Sequence, residues 1–445
     1  MKIAAHYGDD GGSKFSSYEK TQFQLHTRKA CPMPPNRNRT IEAVLLFTAF
    51  IASTYGFGLY LFPAMVESVR KDIPFSYGMM GTISGLVQVG YMICSLMSGF
   101  LTVRYGALTM VLGSIAICAL ALGGLAVAPN VITLTVLLAI LGGCAAAIWV
   151  PMVEIARQIV AKQHQGKVLG LLSSGTSYGV FVNSFLLTGL LTTSGWRSVW
   201  VATCVLVTTL ALTSFIRLRG LSGRSSTTSA TSPATSIRTR LASLPKTLTG
   251  AVLGLMFLTG LSSAPYQTYL SAFVGTEAGY DPETGAEAWR VIGIVGMASG
   301  FAVGALADRI TARWGLIATY LLLSISCFTL IKASGRGDAS FVYLAAAAFS
   351  ISFYAICGLI PTYISHVFGE GAAALVFAFG NVAIGLGGIA GNLLGGVLKV
   401  SAGSFEPIYF VTLGSALCGA AISAAMPSER KSIAAMATAN GSQVT

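Results

Sequence analysis

Long apolar stretches alternate with short polar connections from residue 43 to residue 426, each near the roughly 20 residues that span a bilayer core. Their limits predict helices at 43–66, 76–103, 107–127, 131–154, 167–193 and 198–216, then at 247–274, 289–308, 315–333, 340–363, 372–398 and 406–426. Strands do not fit this pattern. A transmembrane strand reads as about ten residues of strict alternation, whereas 107–127 and 199–216 are continuously apolar. A backbone in lipid must satisfy its own hydrogen bonds, which leaves helices as the spanning elements.

The polar stretches divide the chain. Residues 1–42 lack the apolar core of a cleavable signal and carry a Pro-rich run at 31–35, so they are expected to be a disordered cytoplasmic tail. A first six-helix bundle is expected over 43–216, a linker over 217–246, a second bundle over 247–426 and a tail over 427–445. The linker contains a low-complexity Ser/Thr run at 222–236, suited to a flexible tether between bundles and, alternatively, to phosphorylation. An even number of spans puts both termini on one side. The loops and tails of that side hold eighteen of the basic residues, Arg104, Arg217 and Arg430 among them, against seven on the other, led by Arg70 and Arg197. The positive-inside rule makes the eighteen-residue side cytoplasmic, in a bacterial inner (plasma) membrane.

Composition supports this reading: 54% of residues are hydrophobic and 10% charged, where a soluble domain has about 25% charged, and the mean hydropathy is +0.72. The net charge of +12 is spread over loops between spans, so it reflects topology and not nucleic-acid binding. Seven of the eight cysteines fall in apolar spans and none forms a CxxC pair, so they read as packing residues, with no metal or cofactor expected. The four histidines, His6, His26, His164 and His366, lie in predicted tails or loops, which argues against an intramembrane enzyme. A phosphate-binding GxxxxGK[ST] loop, as a primary pump would need, is missing.

The halves repeat one another. Gly99-Phe-Leu-Thr-Val-Arg104-Tyr-Gly106 joins the second and third helices, and Gly304-Ala-Leu-Ala-Asp308-Arg309, followed by Arg313 and Gly315, joins the eighth and ninth. Such internal repeats are common in transporters. With these paired loops, its span count and its long central loop, the chain resembles the major facilitator superfamily over 43–426, nearest its general bacterial small-metabolite branch. The second loop matches the family's cytoplasmic signature; the first departs from it, with Val103 where an acid is usual. The resemblance implies an all-α membrane protein of twelve transmembrane helices in two pseudo-symmetric six-helix bundles. It also implies gating roles for Gly99, Arg104, Gly304, Asp308, Arg309 and Arg313, with Asp308 latching onto the start of the fifth helix near Gly166 and Lys167. The Gly-Pro signature of proton-coupled drug exporters is absent from helix five, which reads 170-GLLSSGTSYG-179, and helix four has no Arg before Gly142. Drug export is therefore not favoured, and nitrate carriage, which in this family uses arginines midway along helices two and eight, still less.

A substrate would bind near the midplane, between the repeats. Polar and aromatic residues there are Tyr55 and Tyr60, Gln88 and Tyr91, Trp149, Tyr178 and Asn183, Tyr266, Gln267 and Tyr269, Tyr354, and Asn381 with Asn392. Each could equally be a packing residue. Pro63 and Pro265, past the middle of the first helix of each half, are tolerated kinks or devices that expose carbonyls to a cavity beside Tyr60 and Tyr266. Every-fourth-residue glycines, at 387, 391 and 395, at 296, 300 and 304, and at 175 and 179, suit close helix packing and also smooth sliding faces. Glu154 reads either as the partner of Arg157 one turn on or as a protonatable coupling group. No Lys or Arg stands at the midplane, which favours neutral, zwitterionic or aromatic solutes, or weak monoanions.

The expected function is a secondary active transporter of a small organic solute working by alternating access, as a monomer in the lipid bilayer, with a coupling proton or cation. Alternatives are a transporter-like receptor or sensor without transport, and a drug or metabolite efflux carrier. On this topology, a cysteine replacing Ser229 in the linker reacts only with thiol reagents that enter the cytoplasm, and one replacing Thr284 reacts from outside intact cells. Labelling of the Ser229 position by an impermeant reagent would reverse the orientation.

Overall fold

The computed structural model describes residues 37–160, 162–218, 245–307, 311–334 and 337–428, and every regular element among them is helical. Helix α1 runs through Arg37–Ile51, Ala52–Tyr60 and Leu61–Asp72, and is followed by α2 (Tyr77–Tyr105), α3 (Ala107–Ala126), α4 (Val131–Ile159) and α5 (Lys162–Leu186, extended by Leu187–Leu191). Then come α6 (Thr192–Leu218), α7 (Lys246–Thr276), α8 (Pro282–Ala307) and α9 (Ala312–Ala333). Ser340–Ala402 is one helical stretch whose membrane segments, Ser340–Phe368 and Leu375–Ala402, are taken as α10 and α11, and α12 is Glu406–Ala425.

Among the described residues, ten stretches are long and apolar enough to cross a membrane. One of them, Val168–Leu218, is 51 residues long and breaks at Gly195, whose φ of 79° only glycine adopts readily, so it makes two crossings. With α8, 26 residues long, the crossings reach the twelve expected. Boundaries of α2, α3, α7 and α12 fall close to the sequence expectation, but α1 begins at Arg37, inside the expected disordered tail, and runs to Asp72 instead of 66, and α8 begins at Pro282 instead of 289. The close ones have local causes. Ser76 Oγ accepts from Met79 N at 3.1 Å to start α2, Asn130 Oδ1 accepts from Thr133 N at 2.9 Å to start α4, and Gly106, at φ 85°, ends α2.

The expected loop between α10 and α11 is a correction. Helical structure continues through it, and His366 is an exposed helical residue instead of a loop residue. A straight rod of 63 residues would be about 95 Å long at 1.5 Å per residue, and the end contacts show that the chain turns back. Tyr343, at the start of α10, donates to Glu287 at the start of α8, while Lys399, at the end of α11, pairs with Glu277 at the end of α7. Residues 343 and 399 therefore lie at the same face.

That face is called the far face; the opposite one, where α1 begins and α12 ends, is the terminal face. At the far face Asp72 accepts Trp196 Nε1 at 2.8 Å and Arg197 at 2.7 Å. At the terminal face Arg217 meets Glu42 at 3.4 Å, Tyr363 donates to the Pro427 carbonyl at 2.9 Å, and Arg313 donates to the Ala424 carbonyl.

Glycine sets the tightest crossings, and the same crossing occurs in both halves. A Cβ on Gly56 of α1 would stand 2.4 Å from Gly179 Cα of α5. Roughly 205 positions on, a Cβ on Gly260 of α7 would stand 2.0 Å from the Ile384 carbonyl of α11, and one on Gly387 2.0 Å from the Phe257 carbonyl. Gly391 and Gly395 continue that face against Pro265 and Tyr269. With lipid as apolar as the side chains, such backbone approach is a main source of helix association. Gly387→Leu is therefore expected to abolish folded yield, while Gly189→Ala, where a Cβ meets nothing within 4 Å, leaves it unchanged. Size-exclusion profiles of the two variants read the difference.

Candidate functional site

Each three-helix unit opens with a helix that contains an interior proline: Pro63 in α1, Pro151 in α4, Pro265 in α7 and Pro361 in α10. Proline removes one donor and crowds the carbonyl four residues back. In α1 the result is widened turns over Ala52–Tyr60 and a non-helical Met65, at φ −119° and ψ 16°. In α4 the carbonyl released at Ala147 faces Ser98 Oγ of α2 at 3.5 Å.

These bent helices surround a cavity of about 480 Å³ between the halves. Its walls come from α1, α2, α4 and α5 on one side and α7, α8, α10 and α11 on the other. Toward the far face its lining is buried, as at Phe62, Ser84, Gln267 and Asn392; toward the terminal face it includes the exposed Gly170, Ser173, Cys357 and Gly358. The cavity thus opens to the terminal face.

The far end is sealed by contacts between the halves. Tyr60 packs on Trp289 with centroids 6.1 Å apart, and Arg290 of α8 donates to Ser184 Oγ and Thr188 Oγ1 of α5, each at 3.4 Å. A Cβ on Gly81 of α2 would stand 2.4 Å from the Asn392 carbonyl of α11. Nearest the surface, Tyr77 of α2 has the Arg70 guanidinium 3.7 Å from its ring centre and meets Phe405 edge-on at 4.9 Å. On the second half this lid rests on Glu277, which accepts Lys399 Nζ at 2.5 Å, Ser404 Oγ at 2.9 Å and Phe405 N at 2.6 Å. The Lys399 and Glu277 side chains are only 12% and 14% exposed.

Of the residues singled out from the sequence, Tyr55, Tyr60, Gln88, Tyr91, Gln267, Tyr354 and Asn381 line the cavity, together with Trp149 and Asn392. Tyr55 and Tyr91 share a hydrogen bond between hydroxyls at 3.1 Å. Asn183, Tyr178, Tyr266 and Tyr269 lie off the lining. Asn183 Nδ2 instead donates to the Gly56 carbonyl at 2.7 Å, at the glycine crossing of α1 and α5, and Tyr178 is half-buried on α5. Tyr266 is fully buried, stacked on Phe349 at 4.0 Å and accepting from Ser326 Oγ at 3.1 Å. Tyr269 donates to the Asn392 carbonyl at 2.7 Å.

The two prolines named from the sequence also differ. Pro63 borders the cavity one turn from Leu59, another lining residue, whereas the Leu261 carbonyl released by Pro265 faces Gly391 of α11. Among gating residues, Gly99 is exposed with open space around it, Arg104 lies 5.5 Å from the Tyr105 ring, and Arg313 binds the end of α12. Asp308 and Arg309 lie outside the described residues, and the side-chain environments of Gly304, Glu154, Arg157, Gly166 and Lys167 are likewise outside them. Sequence reasoning missed Tyr77, Trp289, Phe353 and Cys357. Pro361, one turn after Cys357, was the available signal for the last.

Two six-helix halves around a cavity closed at one end form the architecture of a membrane transporter. Residues 45–392 match the family model of the Major Facilitator Superfamily, and the chain belongs to that superfamily. No curated protein matches it in sequence. Among solved structures it is similar to a bacterial homolog of the human lysosomal transporter Spinster, crystallised in an inward-facing and unoccupied conformation. The TM-score is 0.69 at 13% identity, over 87% of this chain and 97% of that one, a likeness of fold.

The placement separates two amides that look alike in sequence. Asn183→Leu removes a buried hydrogen bond and is expected to lower stability by about 1–3 kcal/mol. Gln88→Leu, at the cavity wall, leaves the melting temperature of the unliganded protein unchanged. Thermal unfolding in detergent checks both.

Proposed function

We propose that this protein is a secondary carrier that moves a small organic solute by alternating access, its two halves rocking about the central cavity. The observation that carries the reading is the cavity's asymmetry: it is open at the terminal face and closed at the far face, where contacts such as Tyr60 on Trp289, Tyr77 on Phe405 and Arg290 on Ser184 run between the halves. A substrate entering from one side is released on the other only if those contacts part and the opposite ends meet. Several of these contacts suit such an exchange, among them the ring contacts of Tyr60 and Tyr77, the Lys399 ammonium 5.4 Å from the Tyr77 ring and the long hydrogen bonds of Arg290; cation–ring contacts contribute about 0.5–2 kcal/mol apiece. A few such terms give a gap of a few kcal/mol, small enough for the minor state to be populated.

With the basic terminal face in the cytoplasm of a bacterial inner membrane, this is the inward-open state. Function as a monomer is part of this reading. A coupling proton or cation would act through Glu154, because the described lining itself contains no Asp, Glu, His, Lys or Arg.

Ser76 and Val400 flank the far end of the α2–α11 seam, each with a side-chain atom 3.6 Å from the place a Gly78 Cβ would take. Cysteines at these two positions, joined by a short bifunctional thiol reagent, should hold the far face shut and stop solute uptake into proteoliposomes, with recovery on reduction. Undiminished uptake by the bridged protein would rule out alternation at this seam.

A further inference from the structure

We propose that the meeting point of α2, α7 and α11 is an amide-reading subsite, and that the carried solute is an uncharged planar heteroaromatic compound with adjacent hydrogen-bond donor and acceptor atoms on one edge. The proposal rests on the carrier reading and names what its cavity takes.

Three amides border the cavity there, one from each helix: Gln88, Gln267 and Asn392. Their convergence follows from position. A Cβ on Gly388 of α11 would lie 3.3 Å from Gln88 Nε2 and 3.4 Å from the Ala264 Cβ of α7, so the Gln88 side chain occupies the cleft between those two helices. Gln267 follows Ala264 by three residues and Asn392 follows Gly388 by four, spacings that return to the same helical face.

The protein uses only part of their hydrogen-bonding capacity. Gln267 Nε2 donates to the Ser263 carbonyl at 3.1 Å, and the Asn392 backbone carbonyl accepts from Tyr269. Asn392 is 2% exposed, and its Oδ1 is buried without a donor. Buried acceptors are rarely left so in folded proteins, and a ligand N–H reaching this oxygen would satisfy it. An amide presents a donor and an acceptor side by side, and the partner that matches both is an edge with the same pair reversed, as Asn and Gln do with the edge of a nucleobase.

Two further features narrow the class. The wall beside the amides carries the rings of Tyr55, Tyr60, Tyr91 and Tyr354, which favour a flat partner. The described lining offers no formal charge, so an ion would lose its hydration there without a counter-charge. The net result is selection against carboxylates and quaternary amines of the same shape.

The test is thermal unfolding of the purified full-length protein with matched probes. Uracil and nicotinamide are neutral with a donor–acceptor edge; nicotinate and benzoate are planar anions; benzyltrimethylammonium is an aromatic cation with a flat ring and a tetrahedral head. The neutral pair should raise the melting temperature in a saturable way, and Gln88→Leu and Asn392→Leu should each weaken that response about tenfold or more. Gln88 reaches into the cavity and its replacement tests the idea even where Asn392→Leu folds poorly. An equal response to nicotinate or benzyltrimethylammonium, no response to the neutral pair, or a neutral response that survives Gln88→Leu would each overturn the proposal. The two readings fail separately. Probe binding as expected with uptake unaffected by the Ser76–Val400 bridge removes the carrier reading alone, and a bridge that blocks uptake in a protein deaf to the neutral pair removes the subsite alone.

Discussion

The absence of water in the hydrocarbon core is the constraint on which the structure depends. Every backbone N–H and C=O must find its partner inside the protein, so the chain can only cross as helix, and no hydrophobic force remains to press one helix on another. Association then falls to close backbone contact. That is why the deepest crossings are made by Gly56 on Gly179 and by Gly260 and Gly387 between α7 and α11. These crossings fix the interior of each half, while the seam between the halves combines close backbone approaches, such as Gly81 on Asn392, with ring and hydrogen-bond contacts.

The same constraint makes every interruption of a helix informative. Four prolines, one in each helix that opens a three-helix unit, release carbonyls that must be met by something. Ala147 is met by Ser98, and the α1 turns near Gly56 by Asn183. Leu59 and Cys357, four residues before Pro63 and Pro361, are residues of the cavity wall.

Much of the architecture was legible in the sequence because span length and loop charge are set by the bilayer itself, and helix limits such as 107–127 against Ala107–Ala126 differ by a residue or so. The continuous helix through His366 was not legible, since the break in hydropathy there looks like a loop and only the fold shows the turn being made in helical form. The cavity was partly legible. Tyr55, Gln88 and Gln267 could be named from depth alone, but depth does not say which way a side chain points. Tyr266 and Gln267 are neighbours in sequence, yet the helical turn points one into the core, where it is stacked, and the other to the wall. The far-face lid escaped notice for a related reason: Tyr77 at the start of α2 and Phe405 just before α12 are far apart in sequence, and only folding brings their rings together.

The uncharged lining also determines how the carrier stands toward the electrical field across its membrane. A unit charge moved through a potential of 100 mV gains or loses about 2.3 kcal/mol. Walls that carry no formal charge would move none in the proposed rocking of the halves, so the described lining would contribute no gating current. For a solute without net charge, moved without a coupling ion, the membrane voltage would leave both the resting preference between states and the direction of flux untouched. Transport would then run down the solute gradient alone, and energising it would fall to Glu154 or another ionisable group outside that lining.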